Sequence, residues 1–211
     1  MIYITSDTHF GHANIIKYSN RPFSNVKDMD DTLINNINAI VKEDDVLWHL
    51  GDFCLAGKSN AMSHIEHYRN RIKCRKIHLI MGNHDPYYHG SPDKQLLNYF
   101  ESVNSLISTN IFNTSVVFCH YALRVWNKAH HGAIHLYGHS HNMLPEENNL
   151  SFDIGVDAIA ARFAVNMPPK IIDAPVSFKV LHPQDYRPLS FNEVLAIMNT
   201  KSIGNQAVKP N

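Results

Sequence analysis

Short apolar runs that stop abruptly at polar residues set the rhythm of this chain. Residues 1–6 are mostly apolar or β-branched and end at Ser6-Asp7-Thr8-His9. Val46 to Leu50 ends at Gly51-Asp52, and Ile77 to Met81 ends at Gly82-Asn83-His84-Asp85. Residues 115–119 lead into His120, and the run Ile134 to Tyr137 leads into Gly138-His139-Ser140-His141. Runs of this length and composition read as short buried strands. Residues 103–108 and Val176 to Leu181 have the same character, and 151–157 alternates like a strand.

Between these runs the spacing changes. Met29, Leu33, Ile37, Ile40 and Val41 follow the helical period from Asp28 onward, with aspartates crowding the first turn. Residues 59–70 and 93–101 read as shorter helices. Ser190 and Glu193 have the capping-box spacing and start a C-terminal helix through about Met198. Residues 158–175 show no clean period, and the polar tail from 203 reads as frayed.

Strands alternating with helices in the first half imply an α/β sheet. In such sheets ligands collect at the carboxyl ends of the strands. Asp7, His9, Asp52, Asn83, His84, His120, His139 and His141 all fall at such ends.

Composition adds a constraint. The 211 residues suit a single domain, 44% hydrophobic and 18% charged, as in globular proteins. Lys+Arg and Asp+Glu are equal at 19 each, so no global field draws a long polyanion, which argues against extended nucleic acid. Cys54, Cys74 and Cys119 are scattered and odd in number, which suits free thiols in a reducing compartment. With no leader-like start and no membrane-length apolar run, the expectation is a cytoplasmic protein without a membrane partner. The 15 histidines stand out, since imidazole is the commonest metal ligand.

The residues at the strand ends are a coherent donor set. With His84 set apart, three carboxylate or amide side chains and four imidazoles suit borderline divalent ions such as Mn, Fe, Co, Ni or Zn better than calcium or magnesium. Seven donors are too many for one tetrahedral ion and suit two, if one carboxylate is shared.

These blocks resemble the calcineurin-like metallophosphoesterase superfamily. Asp7-Thr8-His9, Gly51-Asp52, Gly82-Asn83-His84-Asp85, Cys119-His120 and Gly138-His139-Ser140-His141 match in order. The resemblance implies an αββα sandwich of two mixed β-sheets flanked by helices. It implies one metal on Asp7, His9 and His141, another on Asn83, His120 and His139, and Asp52 bridging them. Mn is the favoured ion. Two ions roughly 3.5–4 Å apart can clamp a phosphoryl group, and a hydroxide bridging them would be the nucleophile. His84 would lie over the site and either stabilise charge on the phosphoryl oxygens or protonate the leaving group, with Asp85 orienting it and favouring its charged form.

Other residues carry weaker signals. His12 and Asn14 either line the site or serve the turn. Arg21, in Asn-Arg-Pro-Phe, resembles a segment of small phage and bacterial members. It reads either as a contact to the substrate phosphate or as a surface ion pair. His130 and His131 are candidates for the pocket rim, whereas His49 reads as a core residue and His135 as surface or structural. Ser140 reads as needing only to be small. Segment 158–185 separates pieces nearly adjacent in the small relatives, so it reads as an insertion within a single domain, 1–211.

The expected function is a dinuclear phosphoesterase acting on a small, nucleotide-like phosphodiester or phosphomonoester, the diester favoured. A homodimer is allowed. A nuclease on short nucleic acid, using the basic run 69–76, is the main alternative. A non-catalytic metal-binding scaffold ranks lower, because no ligand is missing.

Overall fold

The computed structural model describes residues 1–55, 60–88, 91–167 and 178–205. In chain order its elements begin with β1 (Ile2–Thr5), α1 (Ile15–Tyr18), α2 (Val26–Ile40), β2 (Val46–His49), α3 (Ala61–Arg69) and β3 (Lys76–Ile80). The short pair β4 (Tyr87–Tyr88) and β5 (Ser91–Pro92) precedes β6 (Ser102–Asn104), β7 (Leu106–Ile111), β8 (Thr114–Cys119), β9 (Ile134–Tyr137) and β10 (Ser151–Asp153). The chain continues through α4 (Val156–Phe163), β11 (Val165–Met167), β12 (Phe178–Val180), β13 (Leu189–Ser190) and α5 (Phe191–Asn205).

Two mixed sheets form, flanked by helices. The first has the order β13-β1-β2-β3-β6, parallel except for β13. The second has the order β10-β9-β8-β7, parallel except for β7. Side chains alternate across the first sheet as a pleated strand requires. Tyr3, Leu47, Ile77 and Leu79 point to a core shared with Met29, Leu33 and Ile37 of α2 and Ile65 of α3. Ile4, Trp48 and Ile80 point the other way, onto Val116, Phe118, Ile134 and Leu136 of the second sheet. Each fully buried Leu or Ile here contributes about 1.5–3 kcal/mol relative to exposure. Ile159 of α4 and Phe191, Val194 and Met198 of α5 join this inter-sheet core.

Several boundaries differ from the sequence reading. Asn25, not an aspartate, caps α2 by accepting from the Asp28 N–H at 2.9 Å, so that helix starts earlier. The apolar run 103–108 is two strands: β6 pairs with β3, and β7 pairs with β8 in the other sheet, with Ser105 at the crossing. The strand expected over 151–157 stops at Asp153, and α4 follows. The capping box forms as expected: Glu193 accepts from Ser190 N at 2.8 Å, and Ser190 Oγ accepts from Glu193 N at 3.3 Å. The helix it starts runs to Asn205, well beyond Met198. Of segment 158–185, the structure describes the end of α4, the β11–β12 hairpin and the turn at Pro183–Asp185. Residues 168–177, and 206–211 of the expected frayed tail, lie outside the described residues.

Candidate metal centre

The loops after β1 and β2 are zipped together. Asp7 N–H donates to Gly51 O, His9 N–H to Asp52 O and Phe10 N–H to Phe53 O, each at 3.0 Å. This ladder places Asp7 and His9 beside Asp52. The second sheet is tied on by Asp7 itself, whose carboxylate accepts the His139 N–H at 3.0 and 3.1 Å. Gly138 permits that approach, because a Cβ there would overlap the Asp7 carboxylate and Ser6 Oγ.

The turns that carry the candidate ligands are strained. Asp7, His9, Asp52, His139 and His141 have φ between +46° and +65°, the left-handed region that non-glycine residues rarely occupy. Each costs of order 1–3 kcal/mol, and such strain concentrates at functional sites. The left-handed turns reverse the chain sharply, so that neighbouring donors converge on one place.

Among the described residues, three groups of side chains come close enough to hold a cation: Asp7, His9 and His141; His9, Asp52 and His84; and Asp52, His120 and His139. Within each, the candidate donor atoms all lie within 4.8 Å of one another. Asp52 links them. Its Oδ2 stands 3.4 Å from His9 Nε2 and 3.4 Å from His120 Nε2, while its Oδ1 accepts the His84 N–H at 2.8 Å. Asn83 Oδ1 lies 3.3 Å from His120 Nε2.

The imidazoles are preset as ligands. His120 Nδ1 donates to Leu50 O at 2.8 Å, so Nε2 faces Asp52. His141 Nδ1 lies 2.7 Å from Asp157 Oδ2, leaving Nε2 as its free nitrogen. His9 Nε2 is buried without a hydrogen-bond partner in the structure, an arrangement that costs about 1–3 kcal/mol unless something binds there. Buried carboxylates of Asp7, Asp52, Asp85, Asp153 and Asp157 crowd this end of the sheets, and Arg21 is the only buried guanidinium among the described residues. An orphaned imidazole nitrogen within a surplus of buried carboxylates fits a divalent cation.

The protonation of the metal-free site follows from this crowding. Burial drives His9 down to about 2, so the ring is neutral, as a ligand must be. Burial pushes Asp7 up to about 7, against the pull of His120 and His141. Burial alone would lower His120, but its hydrogen bond to Asp52 and the charges of Asp7 and Asp52 lift it to about 9. Burial opposes ionisation of Asp52 too, yet the hydrogen bond to His120 and the charge on that ring hold it well below the usual carboxylate range.

Several residues play parts the sequence did not announce. Arg21 is buried rather than facing a substrate. Nε and Nη2 grip Asp157 at 2.9 and 2.8 Å, Nη2 also donates to Asp7 O at 2.7 Å, and Nη1 donates to Thr8 O at 3.0 Å. Neither the phosphate contact nor the surface ion pair survives, because every edge of the fork is held inside. Asp85 does not sit on the His84 ring. Its carboxylate accepts the N–H groups of Gly82, Asp52 and Phe53 at 2.8, 2.9 and 3.0 Å, and so pins the loop that carries Asp52. Ser140 needs more than small size, since its hydroxyl donates to Asp153, which also accepts from Asn142 N at 3.2 Å.

Asp153 and Asp157 were missed because neither closes an apolar run: Asp153 ends the short Ser-Phe-Asp strand β10, and Asp157 lies in the first turn of α4. The half-buried His84 ring sits 5.1 Å from that of His9 and 5.7 Å from that of His12, which places the three rings together. Asn14 is exposed at the start of α1. His130 and His131 are exposed on a short turn. His49 is fully buried, its Nε2 2.9 Å from Thr8 Oγ1.

Comparison with known proteins gives a consistent picture. The family model of the calcineurin-like phosphoesterase superfamily domain matches residues 1–156. An uncharacterized protein of Methanocaldococcus jannaschii is 47% identical over 87 residues, 41% of this chain and 47% of that protein, so the match spans about half of that relative. The gene 66 protein of Mycobacterium phage L5 is 25% identical over 181 residues, 74% of this chain and 86% of its own. The crystal structure of a protein of unknown function from Aquifex aeolicus superposes with a TM-score of 0.61 at 20% identity, over 93% of this chain and 98% of that one. That likeness speaks to the fold.

Proposed function

Because the chain belongs to the calcineurin-like phosphoesterase superfamily, we propose that it hydrolyses a small phosphate ester, a diester in preference to a monoester, with two divalent ions held at the ends of its two sheets. The observation that carries this reading is the single Asp52 oxygen equidistant, at 3.4 Å, from His9 and His120. A carboxylate so placed suits a bridge between two cations. Asp7, His9 and His141 would hold one ion, and Asn83, His120 and His139 the other, with Mn favoured by the mixed oxygen and nitrogen donors. When bound, the ions would supply Lewis acidity and an activated water.

The chain's own residues do the rest. His84 lies on the half-exposed side of the site, where its imidazole can stabilise a phosphoryl oxygen or give a proton to the leaving group. Asp85 holds the Asp52 loop in register. The exposed Tyr121 packs edge-on against His120 and His139, with ring centroids 5.0 and 4.8 Å apart. That offers a flat apolar face beside the site and favours a nucleotide-like substrate.

The basic run does not favour a nuclease. Arg69 donates to the carbonyls of Tyr99, Ile72 and Arg75, Arg71 pairs with Asp31, and Arg75 pairs with Asp44 and Glu43. These guanidiniums are engaged within the chain, which leaves the exposed Lys73 and Lys76 rather than a continuous stripe to track a backbone. The test is a panel of phosphomonoesters, cyclic nucleotides, dinucleotides and short oligonucleotides with Mn-loaded protein, against His84→Ala as the blank. Turnover of the small esters by the parent alone supports the reading. Equal rates for parent and blank on every ester would sink it.

A further inference from the structure

The two candidate cation positions are built differently behind their ligands. Behind the Asn83–His120–His139 position, the buried imidazole of His120 leans on a neutral carbonyl, Leu50 O, at 2.8 Å. Behind the Asp7–His9–His141 position stands a charged pair. His141 Nδ1 is 2.7 Å from Asp157 Oδ2, and Asp157 is gripped by both Nε and Nη2 of Arg21. The same guanidinium holds the carbonyls of Asp7 and Thr8, the residues flanking the turn into His9. Arg21 has a side-chain exposure of 0% and Asp157 of 5%, so the pair is sealed from water and from substrate.

We propose that Arg21 and Asp157 are a positioning pair that acts first on one cation position, orienting Asp7, His9 and His141 together, and reaches the other only through the His139 N–H on the Asp7 carboxylate. The inference rests on the dinuclear reading above. Its physical basis is that all three ligands of this position hang from one rigid fork: Asp7 by its own carbonyl, His9 through the preceding peptide and His141 through Asp157. A carboxylate behind a ligating imidazole fixes the ring and raises its basicity. Its own anchoring by a planar, multiply bonded guanidinium removes the freedom that would blur that effect. Charge alone does not reproduce this arrangement. A lysine supplies the same charge from a single point, and it cannot meet two carboxylate oxygens and two carbonyls in one plane.

The experiment is equilibrium dialysis of the full chain against graded Mn, with bound metal counted and its electron paramagnetic resonance spectrum recorded. The parent is expected to hold two ions per chain with an exchange-coupled spectrum. Arg21→Lys and Asp157→Asn are each expected to weaken one ion by about 10- to 100-fold. They should then show the six-line spectrum of an isolated ion at Mn concentrations that fill the parent. Adding His139→Ala to either should remove the remaining ion. Circular dichroism establishes that the variants are folded. Two ions bound with parental affinity in both variants overturn the proposal, as does equal weakening of both ions. So does failure of both to fold, which would make the pair a support of the fold rather than of one position. A parent that holds fewer than two ions refutes the dinuclear reading instead, and that result is read from the parent alone.

Discussion

His9 Nε2 stands 3.4 Å from Asp52 Oδ2, buried and without a hydrogen-bond partner in the structure. Burial keeps the imidazole neutral, so no salt bridge compensates the pair. A cation between them would satisfy both. Chelator-treated protein is therefore expected to lose activity, to regain it with Mn, and to melt at a lower temperature than the loaded form. Ligand linkage gives about 2.7 kcal/mol for each site at one hundred times its dissociation constant. Calorimetry with and without Mn measures this, and a melting temperature indifferent to Mn would count against the centre.

Asp52 stands 3.4 Å from a candidate ligand of each cation position, His9 and His120. Asp52→Asn keeps the shape and removes the charge. Both ions should bind more weakly, and turnover of a chromogenic phosphodiester should fall by about 10²-fold or more, since a metal-site charge acts on every ion it touches. Metal titration alongside kinetics checks it. Full turnover in this variant would be incompatible with a bridging role.

His84→Ala separates ring from backbone. The backbone N–H that holds Asp52 Oδ1 remains, so both ions should stay. What goes is the imidazole facing His9 and His12. Loss of a general acid costs about 10²–10⁴-fold. The loss should be large for alkyl esters and small for p-nitrophenyl esters, whose leaving group needs no proton. A uniform loss across leaving groups would point to charge stabilisation instead.

Asp85→Asn distinguishes a loop brace from a partner of the His84 ring. An amide has one acceptor oxygen, and its NH₂ would face backbone donors that now meet a carboxylate. The expected cost is about 1–3 kcal/mol, a drop of roughly 2–4 °C in Tm per kcal/mol for a chain of this size. Metal affinity should fall with it. An unchanged Tm with a shifted pH–rate profile would restore the role read from the sequence.

The candidate donors were legible because each follows an apolar run, and strand ends are local features. The two-sheet core was legible for the same reason: Tyr3 and Ile4, or Leu47 and Trp48, alternate between faces as period two demands. What stayed hidden depends on partners far away in sequence. Arg21 and Asp157 meet across 136 residues, and Asp85 finds Asp52 and Phe53 across more than 30. No spacing rule announces a guanidinium turned inward. Helix α4 was hidden for a local reason. Gly155 offers no capping side chain, and eight residues show too few turns for a period to emerge.

His135 supplies a pH signature independent of the metal centre. Its ring is fully buried. Nε2 accepts the Leu123 N–H at 3.0 Å, and Nδ1 donates to Val117 O at 3.1 Å. Only the neutral ring meets both, and burial holds its pKa below the ordinary histidine value. The unfolded chain takes up the proton near pH 6.5 and the folded chain at a lower pH, so the unfolded state binds more protons as pH falls. Stability from this group is intact above about pH 6.5 and is lost below it, by up to about 2 kcal/mol at pH 5. His49, which burial lowers to about 3, adds a parallel loss that His135→Gln does not touch. Urea unfolding of the parent and of His135→Gln at pH 7 and pH 5 isolates the contribution. The gap in stability between them should shrink at the lower pH, and a gap independent of pH would show that His135 keeps its proton balance unchanged on folding.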